Sequence, residues 1–210
     1  MRALVVANGE RPSAALVAEL RPAADAVVAA DGGADTVLAL GLTPDIVIGD
    51  LDSLSSAARK AIPPERIRRD TNAGATDLEK AIAYCLTEGY DTLDIVGASG
   101  GRADHALANL SVLVRYGREA QIRLVDERFA IELVAGEAEV RGPIGTVVSL
   151  VAIGPCEGVS TSGLRWELEE ASLAFSARGV HNEIARAPAQ VSVRSGDLLL
   201  FAGRWVEPHA

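Results

Sequence analysis

The chain has 210 residues and is 49% hydrophobic, enough for one large domain or two small ones with real cores. Its formal charge is −9, and Lys60 and Lys80 are its only lysines, so the basic face of a nucleic-acid binder is absent; an acidic chain suits a metal-bound or cationic ligand. No apolar run reaches the roughly 18 residues of a membrane span, and "MRALVVANGE" lacks the pattern of a signal peptide, so the expectation is a soluble, cytoplasmic protein with neither nucleic acid nor membrane as partner.

The predicted elements begin with a strand, "ALVVA" at 3–7, and helical spacing over 13–20. "AVVAA" at 26–30 is a second strand, followed by a helix near 34–40. "DIVIG" at 45–49 is a third, and "RIRRD" at 66–70 reads as a weaker edge strand. In "TDLEKAIAYCLTEG", Thr76 and Glu79 have capping-box spacing, Leu78, Ile82, Cys85 and Leu86 share one face, and Gly89 fits the stop. "TLDIVG" at 92–97 is followed by "RADHALANLSVLVRYG", whose stripe is Leu107, Leu110, Leu113 and Val114, and then by "IRLVD" at 122–126. Continuous apolar strands alternating with helices indicate a doubly wound, mostly parallel sheet, placing an α/β domain at 1–126. From 127 to 210 short alternating runs appear: "FAIELV", "TVVSLVAI", "LRWELE" and "QVSVRSGDLLLF", with "RSGD" as a hairpin turn. They read as an antiparallel β-sandwich domain. Cys85 and Cys156 have no CxxC spacing and are expected as buried free thiols.

The chemistry-bearing residues of the first half follow strands, where open parallel sheets bind ligands. Asn8 and Gly9 follow the first, "DGGAD" (31–35) the second, "GDLDS" (49–53) the third and "GASGGRADH" (97–105) the fifth, while Asp77 opens a helix. Singly, each has a plain alternative: Asp77 and Asp104 suit helix starts, and the glycines suit tight turns. Asp50 and Asp52 are harder to explain that way. Two carboxylates ~5 Å apart repel by a few kcal/mol at a partly buried dielectric, which water or a cation must offset. With Asp77 and Asp104 on the same rim, the pattern points to a magnesium–polyphosphate site. Glycine amides, a helix start and Arg102 supply the phosphate end. There is no GK[ST] of a Walker A loop.

In order along the chain, "DGGAD", "PDIVIGDLDS", "TDLEKAI", "GASGGRADHALANL" and "TSGLRWEL" resemble the thiamine pyrophosphokinase (thiamine diphosphokinase) family. The resemblance implies a nucleotide-binding α/β domain, a thiamine-binding β-sandwich and a homodimer with its thiamine site at the subunit interface. It implies transfer of diphosphate from ATP to the hydroxyl of thiamine, with Mg2+ as cofactor and AMP as by-product. Asp50, Asp52 and Asp77 would hold the metal and do the catalysis, with Asp104 beside them and Asp77 taking the hydroxyl proton. Asn8, Asp31, Gly32, Gly33, Gly100, Gly101, Arg102 and Asp104 would bind ATP. Thr76, Ser162, Trp166 and Asn182 would bind thiamine, although without the resemblance Trp166 reads as a core anchor in an alternating strand. The family commonly has an acid two residues before its Thr-Asp pair, where this chain has Gly74, and its later Ser-Asn and Phe-Gly pairs appear as His181-Asn182 and Phe175-Ser176. Asp70 is six residues before Thr76, too far to be assumed a substitute.

Three other functions fit parts of the pattern. A related pyrophosphokinase acting on another alcohol, pterin-like, would keep the phosphate machinery. A non-catalytic nucleotide sensor would explain Gly74. A hydrolase would use Ser99 in the G-x-S-x-G of "GASGG", but its later histidines, His181 and His209, fall in the β half.

Overall fold

The structure is a computed structural model that describes residues 1–206. It divides into two compact units, one of Met1–Val112 with Glu119–Glu127, the other of Leu113–Arg118 with the described residues from Arg128 onward.

In the first unit, β1 (Arg2–Val6), β2 (Ala26–Ala30), β3 (Ile46–Gly49), β4 (Ile67–Arg69), β5 (Thr92–Val96) and β6 (Gln121–Val125) alternate with α1 (Ala14–Leu20), α2 (Gly33–Ala39), α3 (Ser56–Ala61), α4 (Asp77–Thr87) and α5 (Ala103–Tyr116). The strands run in the order β6-β5-β1-β2-β3-β4, every pair parallel. Every residue of β2 is buried, which is why its sequence is a continuous apolar run without alternation. From β1 the chain steps outward to β4 and then returns to the other side of β1 with β5 and β6. That reversal leaves a crevice beyond the carboxyl ends of β1 and β5.

Local signals set the helix ends. Ser13 and Ser55 cap α1 and α3 by accepting amide hydrogens from Leu16 and Ala58. Thr76 and Glu79 form a complete capping box on α4. Beyond its far end, Gly89 donates to the carbonyl of Leu86 and Tyr90 to that of Cys85, the paired bonds of a glycine-terminated helix. Helix α3 was not anticipated, because six residues carry little periodicity. In α5 the expected stripe is corrected: Val112 and Leu113 are buried, but Leu107 is 62% exposed. Asp94, buried on β5, is a structural acid held by Arg2 at 3.2 Å and Arg123 at 2.6 Å from the flanking strands.

The second unit has two antiparallel sheets. One orders β12 (Asn182–Glu183), β9 (Thr146–Ala152), β14 (Leu198–Val206) and β7 (Phe129–Leu133). The other orders β11 (Ala171–Leu173), β10 (Cys156–Ser162), β13 (Ala189–Ser192) and β8 (Glu137–Val140). Val148, Leu150, Leu198 and Leu200 from the first meet Val140, Val159, Leu173 and Val191 from the second in one core. The stretch "RSGD" is not a hairpin turn. β13 pairs with β10 and β8, and β14 with β7 and β9, so this turn passes the chain from one sheet to the other. "LRWELE" is likewise a loop rather than a strand, with an isolated bridge from Leu164 to Ile184 and hydrogen bonds from Arg165 to Glu183 and between Thr161 and Leu168.

Ile82 on α4 is fully buried. Its replacement by alanine is expected to cost about 2–5 kcal/mol of stability, read as a shift in the urea unfolding midpoint.

Candidate active site

Three carboxylates converge at the ends of β2 and β3 and the start of α4. Asp31, Asp50 and Asp77 each offer an oxygen, all within 4.8 Å of one another. Asp31 follows β2 with φ of 43°, held by its amide to the carbonyl of Ile48. It is 1% exposed, its Oδ2 accepts a long bond from the Ser53 amide at 3.4 Å, and its Oδ1 is buried without a hydrogen-bond partner. Burial first, then the charges of Asp77, Asp50 and Asp52, push its carboxyl above the usual range. Asp50 moves the other way: the Asp52 amide donates to its Oδ1 at 3.1 Å and favours the charged form. The Asp50 amide in turn donates to Asp77 Oδ1 at 3.4 Å. Gly49 makes the assembly possible, because a Cβ there would stand 2.7 Å from the Asp31 Cβ and 3.1 Å from Asp77 Oδ1.

Lys80, which the sequence reading passed over, completes this corner. It lies one helical turn after Asp77, 6% exposed, with Nζ 2.8 Å from Asp77 Oδ1. Burial pulls its ammonium down most, but the bond and charge of Asp77 with the charges of Asp50 and Asp70 outweigh it, and the net shift is upward. The signal was available: a lysine three residues after the acid on the same helix face.

Two clefts flank the acids. One, of about 730 Å³, is lined by Asn8, Gly9 and Glu10 after β1, by Gly100, Gly101 and Arg102 after β5, by His105 and Asn109 of α5, and by Ser53, Thr76 and Asp77. Amide-to-carbonyl bonds from Gly9 to Gly97 at 2.7 Å and from Glu10 to Ser99 at 3.0 Å tie its two loops together. The Asn109 side chain donates to the carbonyl of Ala98 at 2.7 Å, anchoring α5 to the loop before it. The second cleft, of about 550 Å³, is lined by Asp50, Asp52, Arg69, Thr71, Asn72, Thr76, Asp77 and Lys80. Thr76 and Asp77 belong to both.

Several expected residues stand outside the acid trio. Asp52 is exposed on the second cleft with its Oδ1 accepting the Ser53 hydroxyl, and Asp31 takes the place assigned to it in the acid trio. Asp104 and Arg102 hold each other through two bonds, at 3.1 and 2.7 Å, on the surface. Arg102 keeps the Asp104 carboxyl down at about 2. Gly32 and Gly33 are buried and line neither cleft; a Cβ on Gly33 would lie 2.2 Å from the carbonyl oxygen of Val6, so its bareness lets α2 start close against β1.

In the second unit, Trp166 is 57% exposed, which overturns the core-anchor reading. Asn182 brackets it, accepting the Trp166 amide at 3.2 Å and donating to the Trp166 carbonyl at 2.7 Å. The Arg165 guanidinium lies 5.0 Å from the centre of the indole ring. Ser162 is exposed at the end of β10.

With this geometry in view, the comparisons with known proteins are decisive. The family described as "Thiamin pyrophosphokinase, catalytic domain" matches residues 17–125, and "Thiamin pyrophosphokinase, vitamin B1 binding domain" matches residues 137–198. The chain belongs to the thiamin pyrophosphokinase family. A thiamine pyrophosphokinase of Bacillus subtilis is 32% identical over 111 residues, a match that spans 50% of this chain and 51% of that protein. Thiamin pyrophosphokinase 1 of Caenorhabditis elegans is 26% identical over 193 residues, 83% of this chain and 77% of that protein. Among solved structures, a Bacillus subtilis thiamine pyrophosphokinase superposes with a TM-score of 0.83 at 23% identity, covering 97% of this chain and 99% of its own; it shares the fold. The thiamin pyrophosphokinase of Candida albicans does so with a TM-score of 0.81 at 16% identity, covering 98% of this chain and 89% of its own.

Within this family's frame, the position of the missing acid, Gly74, is exposed in the β4–α4 connection, its amide bonded to the Asn72 side chain. Asp70 at the end of β4 contributes its charge to Lys80 instead.

Two outcomes are expected. Gly49→Ala, whose added methyl meets two of the three acids, should fold with a loss of about 1–3 kcal/mol. It should also bind Mn2+ roughly tenfold more weakly by electron paramagnetic resonance titration. Arg102→Gln should let the Asp104 carboxyl rise from about 2 toward its ordinary 3.8, followed by carboxyl chemical shift against pH.

Proposed function

We propose that the chain is an ATP-dependent thiamine diphosphokinase: it transfers diphosphate from ATP to the hydroxyl of thiamine and releases AMP. The observation that carries this is Asp77, an acid shared by two clefts and grouped with Asp31 and Asp50 in an all-oxygen cluster.

The switch-point cleft suits the nucleotide. Its backbone-rich loops, Gly9–Glu10 and Gly100–Gly101, and the start of α5 favour phosphate, and Arg102 offers a guanidinium. Asp31, Asp50 and Asp77 would hold Mg2+. The fit rests on the unpartnered, buried Asp31 Oδ1 and on a donor set made only of carboxylate oxygens, which a hard divalent ion prefers. When bound, the ion neutralises the polyphosphate and stabilises charge on the reacting phosphorus. The thiamine hydroxyl oxygen bonds to the β-phosphorus as the bond from that phosphorus to the oxygen bridging the α-phosphate breaks, and AMP leaves with the bridging oxygen. The hydroxyl proton passes to a carboxylate of the rim, and we assign it to Asp77 because that acid borders both clefts.

For thiamine, a flat cation, the exposed Trp166 with Asn182 offers a stacking face, and Ser162 a hydroxyl. A homodimer with its thiamine site at the subunit interface belongs to the same proposal, supported by the exposed Trp166, Phe175 and Val180 of the second unit. Cys85 and Cys156 are buried and free, in keeping with the cytoplasm, and among the described residues no helix is long and apolar enough to cross a membrane. Gly74 is the feature that suits a sensor, and among the described residues none favours the pterin or hydrolase readings. For the last, His181 lies in the second unit with its amide on Ser149, and His209 is outside the described residues.

An AMP-release assay with ATP and Mg2+ should show turnover only when thiamine is added, and Asp50→Asn and Asp77→Asn should abolish it. Unchanged rates in those variants would refute the assigned roles. Trp166→Ala should raise the KM for thiamine about tenfold while leaving that for ATP within about twofold.

A further inference from the structure

We infer that Lys80 is a positioning residue that holds Asp77 inside the acid cluster, and that without it the cluster does not bind a divalent ion properly. The inference rests on the metal-binding reading of Asp31, Asp50 and Asp77.

Lys80 occupies a place that carries two electrostatic costs. It lies in the fourth position of α4, at the positive end of the helix dipole, a place that favours acids. Its side chain is only 4% exposed, so the ammonium has given up most of its hydration. A surface lysine at the same position would avoid the loss of hydration. What the burial achieves is a bond of 2.8 Å to Asp77 Oδ1, the same oxygen that the Asp50 amide reaches at 3.4 Å.

That bond matters because Asp77 has reason to leave. Its carboxylate is within 4.8 Å of oxygens of Asp31 and Asp50, and its side chain is 31% exposed, free to turn toward water. The Lys80 ammonium, on a side chain that is itself almost wholly out of water, opposes that turn through its 2.8 Å bond. It also offsets part of the negative charge gathered by the three carboxylates. Asp70, whose charge also acts on Lys80, steadies the ammonium from the end of β4.

A charge counterweight and a positioning group predict opposite results. If Lys80 acted only through its charge, removing it would make the cluster more negative and tighten cation binding. If it positions Asp77, removing it loosens a ligand, and groups that orient metal ligands typically contribute about 10- to 100-fold in affinity.

The test is Mn2+ binding by electron paramagnetic resonance on the full chain, with no nucleotide present, for the parent protein, Lys80→Met and Lys80→Arg. Methionine keeps an unbranched buried side chain, and circular dichroism checks that the variant folds. The expected result is Mn2+ affinity at least about tenfold weaker in Lys80→Met, with partial recovery in Lys80→Arg, and a kcat that falls more than the KM for ATP. Equal or tighter Mn2+ binding in folded Lys80→Met overturns the inference. If the parent protein itself fails to bind Mn2+, the metal reading of the three acids is what has failed. A second measurement needs no variant: nitrogen-15 NMR of the Lys80 ammonium should show its hydrogens protected from exchange before and after Mg2+ is added. Protection lost on adding Mg2+ would mean that the ion releases Lys80 from Asp77, and this too overturns the inference.

Discussion

Like charges are forced together at the carboxyl ends of β2 and β3, and the rest of the site is arranged around that repulsion. With oxygens within 4.8 Å of one another, the three carboxylates oppose each other, and the repulsion weighs most on Asp31, the one out of water. Asp31, Asp50 and Asp77 answer it in three ways. Asp31, out of water, takes an elevated pKa. Asp50 draws in the amide of Asp52. Asp77 sits on a capped helix start beside a buried lysine. These devices ease the conflict without removing it, and the unpartnered Asp31 Oδ1 marks where a cation would complete the set.

The parallel sheet supplies the rigidity that such an arrangement needs. β2 is buried along its whole length, and β3 is joined to it in register, so Asp31 and Asp50 leave the sheet from neighbouring strands with little freedom to separate. Gly49 removes the one side chain that would prise them apart from Asp77. The reversal of strand order beside β1 then opens the larger cleft next to the acids, because the loops after β1 and β5 lead away from the middle of the sheet in different directions. The second unit follows another logic, with a sandwich core whose binding-type residues, Trp166 and Asn182, lie in a loop and on a short edge strand.

Much of this was legible in the residues. The strands of the first unit carry unbroken apolar runs, and the Thr76–Glu79 capping box identified the start of α4 by itself. In the second half the same alternation misled: Val191 and Val193 point into the core as Leu198 and Leu200 do, whether a turn joins them within one sheet or carries the chain to the other. The acid cluster was half visible. Asp50 and Asp77 were marked by their positions after a strand and at a helix start, whereas Asp52, two residues on, was grouped with them because nearness in sequence resembles nearness in space. Asp52 gives its amide to Asp50 Oδ1 but leaves its side chain in water.

Local chemistry, then, was settled by the amino-acid order in the first half: which long apolar runs are strands, where α4 starts and stops, and which loops carry acids, glycines and an arginine. Caps, periodicity and turn residues act over a few positions, and those forces can be read from a short stretch of chain. The folded molecule alone decided which acid joins which, that the Lys80 side chain is buried rather than solvated, and that Trp166 faces solvent. Each of these depends on contacts between residues distant along the chain, or on which side of an element is covered. Burial and electrostatic partnership are properties of the packed molecule.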